Sequence, residues 1–429
     1  MIEDFARSVM LLERALETIP LGAQTFSKSM TQFPRNVSPY FASHGKGATL
    51  VDVDGNRYLD FINALASVLL GYADDEVNAA VREQLDRGVT FSLSHELEIE
   101  VAERLCRLIP CAEQVRFGKN GSDATTAAIR LARAITGRER VATCGYHGWQ
   151  DWYIGTTTRD LGVPRAVKAL TSSFRYNDAA SLEELLGKHP GEFAAVILEP
   201  LGADLPRDGF LEAVAALARS AGALLIFDET VTGFRVHVGG AQALTGVTPD
   251  LATFGKGLAN GMPLSAVVGP RRHMKVMEDI FFSTTFGGET LSLAAARVVL
   301  DRLERERVPE SLALLGSRLR DGVSGILAEG GGAEVFSMSG HPSWTFLKIA
   351  ATDLATAAEI KTLLLQELFG RGILFLGTHN LSAAHCQADI DRLLDCYREL
   401  LPEIASLART GRVRTALRAD VLKPLFSVR

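Results

Sequence analysis

The sequence predicts an α/β protein with a mostly parallel sheet covered by helices, followed by a smaller C-terminal α+β domain. Two runs, 193–198 and 223–228, are apolar almost throughout, as strands are when helices cover both faces of their sheet. Helical patterns separate these runs, and this alternation indicates parallel pairing. The chain has 429 residues and can bury more than one core. We therefore predict an N-terminal helix and strap over 1–47, a large domain over 48–305 and a small domain over 306–429.

Composition and charge restrict the expected partners. The net charge is −6 and the isoelectric point is about 5.9, which argues against a nucleic-acid-binding surface. The five cysteines include no CxxC pair, which indicates reduced thiols and no metal site in a cytoplasmic protein. The N-terminal residues lack an apolar signal core, and no apolar run reaches bilayer length. We expect a cytoplasmic protein that binds small molecules and neither nucleic acid nor membrane.

The first elements are an amphipathic helix, a strap and a hairpin. Helical spacing predicts a helix over 3–18, and an irregular Gly/Pro/Ser-rich segment follows over 20–47. The part of this segment that ends at Lys28 could line a pocket, although its spacing favours a surface strap. The Asp54-Gly55 turn predicts a hairpin between two short strands. Further helices are predicted at about 74–87 and 95–109.

A glycine and a serine begin the next helix and predict an anion site. A short strand at 115–118 leads to Gly121 and Ser122, where an alanine-rich helix starts. Free backbone N–H groups and the helix dipole at such a start attract anions. Gly121 allows a phosphate to approach the backbone, and Ser122 can add its hydroxyl. N-capping by Ser122 or Asp123 explains the same residues, and both roles can hold together. The sequence contains no GxxxxGK[ST] nucleotide loop.

An aromatic residue and a histidine follow the strand predicted at 141–144. The turn there reads Gly-Tyr146-His147-Gly. An aromatic side chain beside glycine at a strand end can lie flat on a planar cofactor ring, but a core aromatic is equally consistent. His147 is a candidate acid or base, although a structural histidine is the commoner role. The polar stretch at about 150–178 is predicted to be a loop over a site.

One lysine stands in an unusual setting. Lys256 lies between Gly255 and Gly257 with apolar residues on both sides, and a strand ending at Asp228 precedes it. A desolvated lysine loses its proton easily and is a good Schiff-base nucleophile. A strand-end acid and a lysine in a glycine-rich turn are what pyridoxal phosphate requires, because the acid keeps the pyridine nitrogen protonated and the lysine holds the aldehyde. For Lys256 taken alone, a buried or capping lysine is the alternative.

The candidate residues share one location in the predicted sheet. Gly121, Tyr146, Glu199 and Asp228 all fall at the carboxyl ends of predicted strands, where ligands of open parallel sheets bind. Thr285 stands beside glycines ahead of another alanine-rich helix, so it is either a second phosphate contact or an N-cap. The sequence therefore predicts one site at this edge.

These motifs together resemble the class III, fold-type I aminotransferases, and within them the glutamate-1-semialdehyde aminomutases. The resemblance runs from about residue 20 to the end of the chain, and the set of motifs is highly specific. The matching stretches include Asn120-Gly-Ser-Asp-Ala, Gly145-Tyr-His-Gly, Leu198-Glu-Pro, Phe227-Asp-Glu-Thr-Val-Thr-Gly-Phe-Arg, Thr248-Pro-Asp-Leu and Phe254-Gly-Lys-Gly.

The resemblance implies a role for each matching residue. Lys256 would form the internal aldimine with pyridoxal phosphate and later move the proton between substrate carbon and cofactor. Asp228 would pair with the pyridinium nitrogen and Tyr146 would stack on the ring. Gly121 and Ser122 would hold the phosphate.

Further residues are implied around the same ring. Thr285 would reach the phosphate in the neighbouring subunit of a homodimer with shared sites. Glu199 would lie near the ring oxygen and the substrate, and Arg235 would close on the same region as a substrate-binding residue. His147 and Thr230 complete the implied cofactor-binding set.

The departures from the family pattern bear on the substrate. The family usually has valine where this chain has Thr230, and the aminomutase has histidine where it has Trp149. Lys28 stands where the aminomutase has an arginine that grips the substrate carboxylate, and lysine cannot clamp a carboxylate with two parallel bonds. Lys28 and Trp149 are nevertheless the predicted substrate-binding residues. The stretch after Trp149 also lacks the Gly/Ser-rich gate of the aminomutase.

These departures look more like the aminomutase-like aminotransferases of sugar and secondary-metabolite pathways. The resemblance then implies transfer of an amino group from an amino acid, expected to be glutamate, to a carbonyl of a sugar-like substrate, for instance a 6′-oxo aminoglycoside intermediate. The alternative is an isomerase with the same cofactor, either the aminomutase or an epimerase at an amino-bearing carbon.

Overall fold

A computed structural model describes residues 1–2 and 4–423, and fourteen strands can be assigned in this part of the chain. In chain order the strands are β1 (Ala42–Lys46), β2 (Thr49–Asp52), β3 (Arg57–Asp60), β4 (Gln114–Gly118), β5 (Arg140–Cys144), β6 (Thr171–Ser173), β7 (Phe193–Leu198), β8 (Leu224–Asp228), β9 (Leu251–Phe254), β10 (Ser265–Gly269), β11 (Phe336–His341), β12 (Trp344–Ile349), β13 (Ile373–Leu374) and β14 (Thr378–His379).

Helices lie between and beside these strands, and α2 is a single turn that contains left-handed residues. In chain order the helices are α1 (Ala6–Thr18), α2 (Asn63–Ala66), α3 (Asp75–Arg87), α4 (Glu96–Leu108), α5 (Gly121–Thr136), α6 (Asp151–Ile154), α7 (Arg165–Lys168), α8 (Ala179–Lys188), α9 (Phe210–Ala221), α10 (Gly240–Thr245), α11 (Arg271–Met274), α12 (Thr290–Glu306), α13 (Val308–Gly330), α14 (Ala357–Gly370), α15 (Gln387–Arg409) and α16 (Val413–Ala416). Short 3₁₀ turns occur at Pro20–Gly22, Phe26–Lys28, Lys256–Ala259 and Lys275–Glu278.

The larger sheet has seven strands in the order β4-β10-β9-β8-β7-β5-β6. The strands β9, β8, β7, β5 and β6 pair in parallel, and β10 runs antiparallel to both of its neighbours. Since β4 is antiparallel to β10, it points the same way as the other five. The predicted mostly parallel sheet covered by helices is confirmed. Because six strands point one way, their carboxyl ends meet at one edge.

Apolar side chains explain why these segments form the sheet. All six residues of β7 are buried, as are the last four of β8, which fits strands covered on both faces. The alanine-rich helix α5 packs on the sheet and contributes buried residues that include Ala127, Ala128 and Leu131. The helix ends at Gly137, whose φ of 66° is left-handed and suits glycine at a helix end.

The described part of the chain forms two compact units. One unit is formed by 67–69 with 75–310, and the other joins 1–66 and 70–74 to 311–423. Strand pairing holds the second unit together, since β3 pairs in parallel with β13 and so ties the N-terminal strands to the C-terminal part. The domain boundaries 1–47, 48–305 and 306–429 stay a prediction.

The second unit contains two smaller sheets. One has the order β1-β2-β3-β13 and the other the order β11-β12-β14. The predicted hairpin forms between β2 and β3, and Gly55 in its turn has a φ of 89°, which favours glycine. The predicted helix over 3–18 forms as α1.

The stretch predicted to be a loop at about 150–178 carries more structure than expected. It contains α6, α7 and β6, and β6 extends the large sheet by pairing in parallel with β5. Trp152 and Tyr153 are buried in it, so apolar side chains within a polar stretch fix the backbone. None of the helices in the described part of the chain has the length and apolar character needed to cross a membrane.

Candidate active site

The carboxyl ends of the parallel strands bring the predicted residues together. Thr230 follows β8 and lies against two glycines, because a Cβ added to Gly121 or Gly255 would stand 3.0 Å or 3.3 Å from its Cγ2 atom. The start of α5, the end of β8 and the turn after β9 therefore touch. Glu199, after β7, accepts a hydrogen bond of 2.9 Å from the backbone N–H of Tyr146.

Asp228 ends β8 as a buried carboxylate with several donors. Its Oδ1 atom accepts bonds from the Thr230 hydroxyl at 2.6 Å, the Thr230 N–H at 3.1 Å and the Thr253 hydroxyl at 3.1 Å. Its Oδ2 atom lies 2.9 Å from Nδ1 of His147. Burial by itself raises the pKa of Asp228, but the bonds and charge of His147 and the bonds from Thr230 outweigh it and hold the pKa below its usual range.

His147 stands behind this carboxylate. Its Nε2 atom lies 3.2 Å from the carbonyl oxygen of Cys144, and its ring is buried. A carbonyl oxygen and an ionised carboxylate both accept hydrogen bonds, so each faces a ring nitrogen of His147 that can donate to it. His147 thus supports Asp228 from inside the protein, and direct contact with a cofactor stays a prediction.

Lys256 occupies a strained position in the turn after β9. Its φ is 42°, a left-handed value that is uncommon for a residue other than glycine. Such strain is often found at functional sites. Burial lowers the pKa of the amine, the charges of Glu199 and Asp228 raise it, and the charge of Arg235 lowers it, with a net result below the usual range. The amine therefore loses its proton more readily than an exposed lysine does.

Glu199 and Tyr146 are two further residues of the candidate site. Burial and the charge of Asp228 raise the pKa of Glu199 above its usual range, so this carboxyl can hold a proton. A Cβ on Gly145 would stand 2.5 Å from the Glu199 carboxylate, so only glycine fits there. The Tyr146 ring is about half exposed and meets Tyr153 edge-on, with ring centroids 5.5 Å apart. It is available to cover a flat ligand.

The start of α5 forms an anion cradle. The side chain of Asp123 accepts the N–H groups of Lys119 and Asn120, so it uses donors that precede the helix. Within residues 1–2 and 4–423, no bond uses the N–H groups of Gly121 and Ser122. The Ser122 hydroxyl accepts from the backbone N–H of Trp149 at 3.3 Å, which leaves its own proton for an anion. These donors and the helix dipole fit a phosphate group.

Of the four remaining predicted residues, one is buried and three are exposed. Lys28 is exposed at the end of a 3₁₀ turn in the other unit, and Thr285 is exposed in the irregular segment before α12. The side chain of Arg235 is 1% exposed, and burial lowers its pKa to about 10, so in this structure it is covered. Trp149 is 64% exposed beside the cradle. Substrate binding by these residues stays a prediction.

Two residues that sequence reasoning missed complete the site. Thr253 is fully buried in β9, and the strand register places it beside Asp228 as its direct partner. Its hydroxyl in an otherwise apolar strand just before Lys256 was the available signal. Tyr153 donates a bond of 2.8 Å to the carbonyl of Gly145 and holds the turn that carries Tyr146. No sequence signal distinguished it from a core aromatic.

The chemistry of this donor set fits pyridoxal phosphate. The anion cradle suits a phosphate, the readily deprotonated lysine suits an aldehyde, and the ionised Asp228 suits a basic ring nitrogen that must stay protonated. Tyr146 offers an aromatic face.

Comparison with known proteins gives an independent result. The family model described as aminotransferase class-III matches residues 32–383. A 3-aminobutyryl-CoA aminotransferase of Cloacimonas acidaminovorans is 35% identical over 94% of this chain and 98% of its own length. A glutamate-1-semialdehyde 2,1-aminomutase of Syntrophomonas wolfei is 34% identical over 90% of this chain and 96% of its own. The solved pyridoxal phosphate internal-aldimine form of the FumI protein of Sphingopyxis sp. MTA144 is 28% identical, covers 96% of this chain and all of its own, and has a TM-score of 0.86.

Proposed function

The chain belongs to the class-III aminotransferases, its cofactor is pyridoxal phosphate, and from these premises we propose that it moves an amino group from glutamate to a carbonyl of a sugar-like acceptor. One observation gives the strongest support for this type of reaction. The amine of Lys256 has a lowered pKa and lies within the electrostatic reach of the Glu199 and Asp228 carboxylates. A nucleophilic base near two acids that differ in their tendency to ionise supports proton transfer at a substrate carbon.

We propose that the residues divide the work as follows. The cofactor, when bound, supplies an aldehyde that takes up amines and a ring that withdraws electrons from the substrate carbon. The Nζ atom of Lys256 removes the proton from that carbon and returns it. Asp228 holds the proton on the ring nitrogen, and the buried His147 keeps Asp228 charged. Glu199 holds a proton near the substrate, and the Gly121 and Ser122 N–H groups orient the phosphate.

The acceptor is proposed from the sequence departures. Trp149 is exposed beside the cradle, and an aromatic face suits the apolar side of a sugar ring. A second acceptor class is favoured by one relative, because the Cloacimonas acidaminovorans protein is named for an amino acyl thioester. A 6′-oxo aminosugar and a 3-oxoacyl thioester should be compared as acceptors. A higher kcat/KM for the thioester would overturn the sugar proposal.

The second candidate function is the isomerase, favoured by relatives named glutamate-1-semialdehyde 2,1-aminomutase at 34–36% identity. An isomerase needs no external donor, since the amino group stays on the product. Lys28 in place of the expected arginine disfavours it, because a point charge grips a carboxylate less firmly.

Incubation with glutamate as the sole substrate distinguishes the two functions. A transferase loaded with cofactor should release 2-oxoglutarate in an amount that stops at about one per site, because no acceptor completes the cycle. Adding an aldehyde-bearing sugar should then make the release continuous. No release with glutamate, together with full conversion of the semialdehyde to aminolevulinate without a donor, would overturn the transferase.

We also propose a homodimer in the cytoplasm. A groove of about 1080 Å³ runs along the edge strand β4, lined by α4 and by residues between 274 and 288. Phe281, which lines this groove, is 81% exposed, and Phe286 is 56% exposed on the same segment as Thr285. A second copy would cover these rings and place Thr285 near its cradle. A monomeric mass by light scattering at micromolar concentration would exclude the dimer.

The five cysteines all lie in the described part of the chain and are free, which suits the cytoplasm.

A further inference from the structure

The two oxygens of Asp228 are used unequally. Oδ1 accepts three bonds, two from Thr230 and one from Thr253, whereas Oδ2 accepts one, from His147, within residues 1–2 and 4–423. A carboxylate oxygen has two lone pairs. Oδ1 is therefore fully occupied, and Oδ2 has one acceptor position left for a further N–H donor.

The shortest of these bonds comes from Thr230, and its side chain has little freedom to turn away. Its methyl group fills the space between Gly121 and Gly255, where added Cβ atoms would stand 3.0 Å and 3.3 Å from Cγ2. This orientation directs the hydroxyl to Oδ1 at 2.6 Å. Valine has the same shape as threonine but no hydroxyl donor, so a valine at this position would test the hydroxyl alone.

We propose that Thr230 is a positioning residue that lowers the basicity of Asp228 and directs the ring nitrogen of the cofactor to Oδ2. The inference rests on the proposed function, since it assumes that Asp228 pairs with that nitrogen. A hydrogen bond to the carboxylate draws charge from it, so Asp228 holds the shared proton of the ring nitrogen less strongly. The ring nitrogen of this protein then loses its proton at a lower pH than it would with valine.

Other titratable groups face the same carboxylate and must be kept constant. They are His147 and Tyr146 in the turn after β5, Tyr153 on α6, Glu199 after β7 and Lys256 after β9. The variant Thr230→Val changes none of them. Hydrogen bonds from His147 and Thr230 hold the pKa of Asp228 low against the effect of burial, so removing one of them should raise this pKa.

The test uses the full-length protein loaded with pyridoxal phosphate labelled with ¹⁵N in the ring. The ring-nitrogen chemical shift is followed against pH in the wild type, Thr230→Val and Thr230→Ser. In Thr230→Val the protonated signal should persist to a pH higher by about one unit, because a bond to a charged group is worth roughly that much. Thr230→Ser keeps the hydroxyl but lacks the methyl group that holds it toward Oδ1, so its curve should lie between those of the wild type and Thr230→Val.

Two control variants separate the inference from its premise. Thr232→Val removes a hydroxyl that bonds to Glu229 at 2.8 Å, and it should leave the curve unchanged. Asp228→Asn removes the charge itself and should shift the ring-nitrogen signal in every condition. If Asp228→Asn has no effect on the signal, the premise fails. If it has an effect but Thr230→Val matches the wild type, then Thr230 has no such role.

Discussion

Replacing Lys256 with alanine is expected to abolish both turnover and the visible absorbance of the cofactor-loaded protein while the fold is retained. The amine is the nucleophile for the aldehyde and the base at the substrate carbon, so its loss removes two functions at once. A positioned base alone contributes about 10²- to 10⁴-fold to a rate, so turnover should fall at least that far. Alanine also has a Cβ, so the strained φ of 42° is no worse than before.

A direct measurement can locate the attachment site. Borohydride reduction of the loaded wild type, followed by peptide mass mapping, should find the cofactor on the peptide that contains residue 256. Lys361→Ala is the matched control, because burial lowers the pKa of Lys361 as well, but this lysine lies on α14 in the other unit. The control should keep the absorbance and the turnover. Cofactor found on another peptide, or normal absorbance in Lys256→Ala, would show that the site has been misassigned.

Much of the site could be predicted because strand ends can be recognised in the sequence. The apolar runs of β7 and β8 determine where Glu199 and Asp228 fall, and parallel pairing puts both at one edge of the sheet. The helix start at Gly121 has its own local signal. That Gly121, Glu199 and Asp228 lie close together therefore follows from the fold class, without knowledge of any side-chain contact.

The supporting contacts could not be predicted, since they depend on register and backbone path. Thr253 reaches Asp228 only because β8 and β9 pair with these two residues as direct partners. His147 supports Asp228 through the turn after β5, whose path depends on Gly145 at a φ of 106°. The structure in 150–178 was missed for a similar reason, because a polar composition conceals the buried Trp152.

The pairing of β3 with β13 shows a third limit of prediction from the sequence. Residues 1–66 join the C-terminal part of the chain through the pairing of β3 with β13. This pairing links positions more than three hundred residues apart and involves a two-residue strand. No local pattern marks so short a partner, so this pairing could not be predicted from the sequence.

Replacing Asp228 with asparagine is expected to lower kcat by about 10²- to 10³-fold, the range for loss of one electrostatic group that acts in a transition state. Without the carboxylate, the ring nitrogen is no longer held protonated and the ring withdraws electrons poorly. Asparagine keeps the size and can still accept one of the bonds from Thr230 and Thr253. Asp228→Ala is a harsher variant, because it removes every acceptor atom of the side chain and leaves the buried donors of His147, Thr230 and Thr253 without a partner.

The neighbouring acid provides the control for this prediction. Glu229 is fully buried, but its carboxylate accepts bonds from Ala241 and Gln242 at the start of α10 and from the hydroxyl of Thr232. Glu229→Gln should lower the free energy of unfolding by about 1–3 kcal/mol, because an amide cannot accept all of these donors. Its kcat and visible spectrum should stay near wild type. Steady-state kinetics and denaturant unfolding of both variants would decide the matter: if folded Glu229→Gln loses as much kcat as Asp228→Asn, then charge at this strand end acts through the fold and not through the ring nitrogen.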